Sequence, residues 1–467
     1  MGSKGKLLKM NHNFEQYITD KEMLQNLSDL GYAHMTPIQA ACLPLVLEGK
    51  DVTAKAKTGS GKTAAFGLPL LLRLNVRKMS IQSIVLCPTR ELAEQVAGEL
   101  RKFARFQNNI KILLLCGGSP CRQQRFSLEH GAHIIVGTPG RILQHLEEGA
   151  LFLDGVETLV LDEADRMLDM GFFEDIEKII KKTPPTRQTL LFSATFPQGI
   201  EQMCKQVQRD AVMVSVEESE PENKIEQIFY EVNGSDKPKA LSAILLSLRP
   251  KSAIIFCKTK IGVGELQDDL YQEGFDVLSL HGDLEQLDRD ESLLQFANGS
   301  VTILVATDLA SRGLDIKDVE CVINYDIPHT AEVYTHRIGR TARMGKEGKA
   351  ITLYEPFQKS FLEELRAAQI NFTCKRYETI APDNTKPYLA DMVTLCIDGG
   401  KKQKVRAGDI LGTLTKDVGL NASAIGKITI TEKYAYVAIA REFADKAFEE
   451  LGYKKIKGRS FRVWKLG

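Results

Sequence analysis

The tightest constraint on this chain is a strand-like run that ends in two consecutive carboxylates, Val156-Glu157-Thr158-Leu159-Val160-Leu161 followed by Asp162-Glu163. Such an aliphatic, β-branched run suits a strand buried on both faces of a parallel sheet. Open α/β sheets bind ligands just beyond the carboxyl ends of their strands. One carboxylate placed there can hold Mg²⁺, and the next can orient and deprotonate a water. About a hundred residues earlier stands Ala56-Lys57-Thr58-Gly59-Ser60-Gly61-Lys62-Thr63, a phosphate-binding loop in which Ala56 takes the usual first glycine position. Gly59 and Gly61 let backbone N–H groups turn toward phosphate oxygens, and a helix opening near Lys62 aims its positive end at the anion. Lys62 is placed to neutralise the β- and γ-phosphates, and the Thr63 hydroxyl to hold Mg²⁺ beside Asp162.

Together the two stretches resemble the DEAD-box family of RNA helicases, whose name spells residues 162–165. The resemblance runs from Phe14 to about Tyr377 and brings in further segments in family order. It implies two tandem RecA-like domains, each a doubly wound parallel α/β sheet, with ATP and Mg²⁺ as cofactors. Glu163 is then the group that activates water, with Asp162 and Lys62 beside it. Phe14, 25 residues before Gln39, is expected to stack on adenine, and the Gln39 amide to read the base edge. Tyr334-Thr335-His336-Arg337-Ile338-Gly339-Arg340-Thr341-Ala342-Arg343 matches the last motif. Arg340 and Arg343 are expected on one helical face as arginine fingers for the γ-phosphate, and His336 as a bridge between domains. Ala342 replaces a common glycine, a change expected to leave the helix intact. Asp315 is implied at the ribose and Thr307 at an RNA phosphate, while His281-Gly282-Asp283 with Gln286 and Arg289 matches an RNA-contact motif.

Composition bounds the rest. At 467 residues with 43% hydrophobic content, the chain accommodates two or three globular domains. No apolar run approaches the roughly 20 residues of a membrane span, and no secretory signal is visible, so a cytoplasmic location is expected. Nine cysteines without a Cys-x-x-Cys pair suggest neither a disulfide scaffold nor a zinc site. Residues 1–9 precede a second methionine, Met10, and are set aside from the fold.

Apolar runs at Ile84–Leu86, Ile112–Leu115, 134–136, 159–161 and 189–192 alternate with amphipathic stretches, which argues a doubly wound parallel sheet. Each run is followed at once by small, polar or Gly/Pro residues. By resemblance, three of these segments grip RNA through Thr89 and Arg90, Gly117 and Gly118, and Thr138 and Arg141; the segment Ser193-Ala194-Thr195 relays nucleotide state. An acidic linker at 216–224 separates helicase domain 1 (10–215) from a second α/β pattern (225–378) that lacks both the Gly-Lys-Thr loop and the Asp-Glu pair.

A further linker at 379–388 leads to residues 389–467, which carry 15 Lys+Arg against 9 Asp+Glu. Net charge over the whole chain is zero, so this excess of six positive charges makes the tail the candidate for polyanion binding. Its pattern is βαββαβ: strands at 392–397, 425–431, 434–440 and 460–466, helices at 407–418 and 442–451. That is the layout of an RNA-recognition module, an α+β fold. Tyr434-Ala435-Tyr436-Val437 keeps two aromatics on one face, but Lys433 stands where glycine is usual, Ile439 replaces the final aromatic, and Thr394 holds a stacking position. Stacking of single strands on this sheet is therefore not expected. The basic loops with Lys401, Lys402, Lys404 and Arg406, and with Lys455, Lys457 and Arg459, fit a structured RNA better. Thr394-Leu395-Cys396-Ile397-Asp398-Gly399-Gly400-Lys401-Lys402 resembles the tail of the DbpA branch, which implies a 23S ribosomal RNA hairpin as partner.

The expected function is an ATP-dependent RNA helicase that remodels ribosomal RNA during large-subunit assembly, binding no membrane and no zinc. An RNA clamp with a timing ATPase, or a general RNA remodeller, shares every motif and stays open. A GTPase would need an Asn-Lys-x-Asp guanine reader, which the chain lacks.

Overall fold

The computed structural model describes residues 12–56, 59–196, 198–216, 225–311, 319–342, 347–380 and 385–466. Lys57, Thr58, Asp315, Arg343, residues 1–9, most of the 216–224 linker and residues 381–384 of the 379–388 linker lie outside them. The chain divides into two compact units, changing over between residues 219 and 220.

The first unit is built on seven parallel strands: β1 (Val52–Lys55), β2 (Ser83–Leu86), β3 (Ile112–Leu115), β4 (Ile134–Gly137), β5 (Thr158–Asp162), β6 (Gln188–Ser193) and β7 (Val212–Ser215), in the order β3-β4-β2-β5-β6-β1-β7. Period-two alternation sends neighbouring side chains to opposite faces. Val160 and Phe192 join one apolar core while Leu159, Leu161 and Leu191 join the other, and all five are fully buried. Burying each such side chain contributes about 1.5–3 kcal/mol, so the aliphatic run before Asp162 is held from both sides.

The second unit contains β8 (Ile225–Glu231), β9 (Ala253–Cys257), β10 (Val277–Leu280), β11 (Ile303–Thr307), β12 (Cys321–Asn324), β13 (Gly348–Tyr354) and β14 (Thr373–Arg376). Their order, β10-β11-β9-β12-β13-β8-β14, repeats that of the first sheet strand for strand. The edge strands β7 and β14 have no counterpart in the sequence reading. Half or more of their residues face solvent, so they lack the apolar run by which the inner strands announce themselves.

The tail forms β15 (Met392–Ile397), β16 (Ile425–Ile430), β17 (Ala435–Ala440) and β18 (Val463–Lys465), antiparallel in the order β16-β17-β15-β18, with helices at Ala407–Gly412 and Ala444–Tyr453. It shares its compact unit with the second α/β sheet. Asp276 accepts from the Ala390 N–H at 2.7 Å and pairs with Arg441 at 2.9 Å.

Candidate functional site

The strand order explains how residues far apart in sequence meet. β6 lies between β1 and β5, so the phosphate loop after β1 and Asp162-Glu163 after β5 flank Ser193 at the end of β6. The Ala56 N–H donates to the Ser193 carbonyl at 2.9 Å. Gly59 and Gly61 both adopt left-handed backbone, φ 90° and 93°, which glycine alone occupies without strain. A Cβ on Gly61 would stand 2.4 Å from Gln39 Nε2. Gly61 caps the helix Lys62–Leu72, whose first-turn N–H groups lack intrahelical partners and favour an anion. Ser60 belongs to the same turn.

Lys62 and Asp162 are 6% and 3% exposed, and Lys62 Nζ lies 3.7 Å from Asp162 Oδ1, beyond hydrogen-bond reach. Neither atom has a hydrogen-bond partner. A buried cation and carboxylate left unbridged suit a group carrying both phosphate oxygens and a metal, and Thr63 follows Lys62 on the same helix turn. Burial raises the Asp162 pKa; Lys62 opposes the rise and Glu163 adds to it.

Glu163 is equally buried, in left-handed backbone at φ 54°, a strained state of the kind that gathers at working sites. Its Oε2 accepts from Arg166 Nη1 at 2.6 Å. Asp165 accepts from the Ala194 N–H at 3.2 Å and from the Thr195 N–H and Oγ1 at 2.9 and 3.0 Å, while its own N–H donates to Ser193 Oγ at 3.3 Å. Burial pushes the Asp165 carboxyl up, but the bonds from Thr195 outweigh it and hold the pKa below the ordinary value. Asp165 and Arg166 were missed as positioning groups. The sequence signal was their place in the same helical turn as Glu163.

Two residues expected at the nucleotide by resemblance are buried in this structure. Phe14 is 3% exposed and packs edge-on to Tyr32 at 6.5 Å. Gln39 is 2% exposed; its Oε1 accepts from the Thr36 N–H at 2.9 Å and its Nε2 donates to the Gly61 carbonyl at 3.1 Å. With the Thr36 hydroxyl donating to the Ser60 carbonyl at 2.8 Å, Gln39 braces the phosphate loop.

The three segments expected to contact RNA follow β2, β3 and β4, which are neighbours in the sheet. Thr89 caps its helix by accepting from the Leu92 N–H at 3.3 Å, and Arg90 pairs with Glu94 at 2.7 Å. Gly117 and Gly118 are exposed. Arg141 donates to the Ser119 carbonyl at 2.9 Å, tying the glycine segment to the one that contains Thr138.

In the second unit, the helix Ala331–Ile338 ends at Gly339, before Arg340. Arg340 is 6% exposed and Ala342 has φ 56°. Arg340 therefore stands outside the helix on which it was expected, while Arg343 lies outside the described residues, and Ala342 lies past the helix rather than in it; a left-handed residue explains why glycine is usual there. His336 sits on the helix, half-buried. Arg337, given no role in the sequence reading, holds Asp308 through Nε and Nη2, each at 2.7 Å, and donates to Asn324 Oδ1 and the Asp326 carbonyl. Thr307 caps the turn after β11 by accepting from the Ala310 N–H at 3.3 Å, and half-buried Arg289 lies on the helix Gln286–Ala297.

That same helix carries Glu291, which accepts from the Tyr436 hydroxyl at 3.1 Å. Thr394 and Tyr436, on one face of the tail sheet, are 0% and 3% exposed. Here the second unit's own residues cover them, while Tyr434 and Trp464, with rings 5.7 Å apart, stay half-buried. Lys401, Lys402, Lys404, Arg406, Lys455, Lys457 and Arg459 are all exposed or half-buried at the loop surface, and Lys457 Nζ donates to the Lys404 carbonyl at 3.0 Å, so the two basic loops meet.

Comparison with known proteins agrees with this geometry. Residues 36–203 match the DEAD/DEAH box helicase family, 236–345 the helicase conserved C-terminal domain, and 394–465 the DbpA RNA binding domain. The chain is 50% identical over 444 residues to the ATP-dependent RNA helicase DbpA of Escherichia coli, covering 94% of this chain and 96% of that protein. It is 38% identical to the Bacillus subtilis protein of the same name, covering 97% and 99%. Among solved structures, S. cerevisiae Dbp5 bound to RNA and ADP BeF3 superposes with a TM-score of 0.71 at 32% identity, over 79% of this chain and 96% of that one.

Proposed function

The chain belongs to the DEAD-box family of ATP-dependent RNA helicases, in its DbpA branch, and from that premise we propose that it remodels 23S ribosomal RNA during assembly of the large ribosomal subunit. Its sheets and tail are those of an enzyme that binds RNA and hydrolyses ATP. The finer reading rests on one observation: the tail's two basic loops are joined and open to solvent, while Thr394 and Tyr436 on its sheet are buried. Phosphate-directed cations on a rigid frame suit a folded hairpin better than a single strand.

In this proposal the tail anchors to its hairpin, and ATP with adjacent duplex brings the two α/β units to their active arrangement. Lys62 and the Gly59–Gly61 backbone bind the phosphates. Thr63 and Asp162 would hold Mg²⁺, whose charge offsets that on the β- and γ-oxygens. Glu163, freed from Arg166 or sharing it, orients the attacking water and takes its proton. Asp165 fixes the carboxylate strand to Ser193-Ala194-Thr195, so that a shift at the phosphates reaches β6. Arg340 and Arg343, with Asp315 at the ribose, serve the same nucleotide from the second half of the chain. Thr89, Arg90, Gly117, Gly118, Thr138, Arg141, Arg289 and Thr307 contact backbone and 2′-hydroxyls, which makes strand separation local and non-processive. The cytoplasm is the proposed location; among the described residues no helix is long and apolar enough to cross a membrane.

The deciding experiment compares ATPase stimulation by a panel of RNAs with and without residues 379–467. A strong preference for one ribosomal hairpin, abolished by truncation, supports the reading. Equal stimulation by all RNAs would leave a general remodeller. Strand displacement beside the hairpin separates a helicase from a clamp.

A further inference from the structure

The helices Cys121–Glu129 and Pro139–Glu147 directly follow two RNA-facing segments of the first unit, and they meet through side chains that the helicase chemistry does not use. Cys121 Sγ lies 3.9 Å from His145 Nδ1 and 3.7 Å from Glu148 Oε2. Among the described residues this is the one convergence of three such ligand atoms, all within 4.8 Å of one another.

His145 is fully buried, and its tautomer is set by its neighbours. Gln124 donates its Nε2 to the Cys116 carbonyl at 2.8 Å, which leaves its Oε1, 3.0 Å from His145 Nε2, as an acceptor. The ring proton therefore sits on Nε2, and the Nδ1 lone pair points toward Cys121. An imidazole whose far nitrogen donates to a fixed oxygen is the arrangement that orients histidine as a metal ligand. Glu148 stands on the solvent side, where Oε2 pairs with Arg125 at 2.7 Å and Oε1 accepts from Gln144 at 2.9 Å. An exposed ion pair of this kind contributes little and yields readily to a divalent cation.

We propose that Cys121, His145 and Glu148 form a binding site for a zinc-class divalent cation, with a remaining position for water. One sulfur, one imidazole nitrogen and one carboxylate oxygen make a borderline-soft donor set that favours Zn²⁺ over Mg²⁺ or Ca²⁺. Binding releases the Cys121 thiol proton to solvent. The spacing hides the site from a search for paired cysteines, because one ligand comes from the first helix and a His-x-x-Glu pair from the end of the second. A cation there locks the helix after Gly117-Gly118 to the helix after Thr138, segments already joined by Arg141 and Ser119. The site is independent of the nucleotide and of the ribosomal target.

The test is a Co²⁺ titration of the reduced full chain in excess Mg²⁺ without nucleotide. One equivalent should produce a near-ultraviolet thiolate-to-cobalt band together with visible bands of low coordination number, and Zn²⁺ should displace both. Cys121→Ser should abolish the charge-transfer band, and Glu148→Gln should weaken binding by at least about tenfold. Both side chains are at least partly exposed, and circular dichroism checks that the variants fold. With Zn²⁺, amide exchange across 121–129 should slow in the parent and not in Cys121→Ser. No thiolate band, or the same band in Cys121→Ser, overturns the proposal; the latter would assign the metal to another thiol such as the exposed Cys374.

Discussion

The Ser300 hydroxyl of the second α/β sheet lies 2.6 Å from the Thr394 hydroxyl of the tail, and Asn298 Nδ2 donates to that same oxygen at 3.3 Å. Thr394 is wholly buried, so the tail is seated on the second unit through a small polar knot. Thr394→Val keeps the shape and removes the hydroxyl. Leaving two buried groups short of a partner costs about 1–3 kcal/mol. The expected result is faster proteolysis near residue 385 and weaker hairpin stimulation of kcat, with hairpin affinity unchanged because the basic loops are untouched. A fall in affinity equal to the fall in kcat would contradict this division.

Glu163→Gln preserves size and a hydrogen bond to Arg166 while removing the base. Loss of general-base catalysis lowers kcat by about 10²–10⁴. Nucleotide affinity measured by equilibrium binding should stay within a few-fold of the parent, since Lys62, Thr63 and Asp162 remain. Retained turnover would remove Glu163 from the mechanism.

What the sequence made legible follows from how each signal is written into it. Val160 and Leu161 announce a strand buried on both faces because both sides of the sheet are covered by apolar cores. The phosphate loop and Asp162-Glu163 are contiguous stretches, and contiguous stretches read well. Roles that depend on a third dimension did not. That the Gln39 amide closes on Thr36 and Gly61 is not written in the linear chain. Nor is the packing of Phe14 beside Tyr32. Arg340 was expected on a helical face, but Gly339 ends the helix before it, so helical spacing carried no information there. Arg337 drew no notice because nothing in a linear chain marks a guanidinium whose partners are Asp308, Asn324, Asp326 and the Phe256 ring.

Asp165 makes the fold sensitive to acid in a predictable direction. Its carboxyl titrates below the ordinary 3.8 in the folded chain. Its contribution to stability is therefore fully present above that value and disappears as pH falls through the lower folded value. Asp165→Asn should be less stable than the parent at pH 7, and the gap should narrow on acidification below about pH 4. Denaturant midpoints measured from pH 7 to pH 3 give the comparison; a constant gap would mean that the carboxylate charge contributes nothing.

Ala342 holds a left-handed backbone at φ 56° without the freedom of glycine. The conformation costs an L-residue about 1–2 kcal/mol, part of which is offset because glycine loses more chain entropy on folding. Ala342→Gly should thus be neutral to about 1 kcal/mol stabilising, unlike most Ala→Gly changes. A clear fall in the second unit's melting temperature would show that Ala342 is unstrained.

The two basic loops offer a last test, because their lysines do different things. Lys455 lies at the surface, with no fixed partner required by the loop, so Lys455→Gln should withdraw one charge from the RNA backbone. The slope of log affinity against log salt then falls by about 0.7–0.9 for each phosphate no longer neutralised, with stability unaltered. Lys457 also donates to the Lys404 carbonyl and lies 3.8 Å from Asp409. Lys457→Gln should therefore lower the slope by more than a single phosphate's share, since the loop bearing Lys401, Lys402, Lys404 and Arg406 is no longer tied to the other. Comparing the two variants separates the effects: Lys457→Gln should lower the slope by more than Lys455→Gln if the bond to Lys404 sets the joint, and by the same amount if only charge is involved.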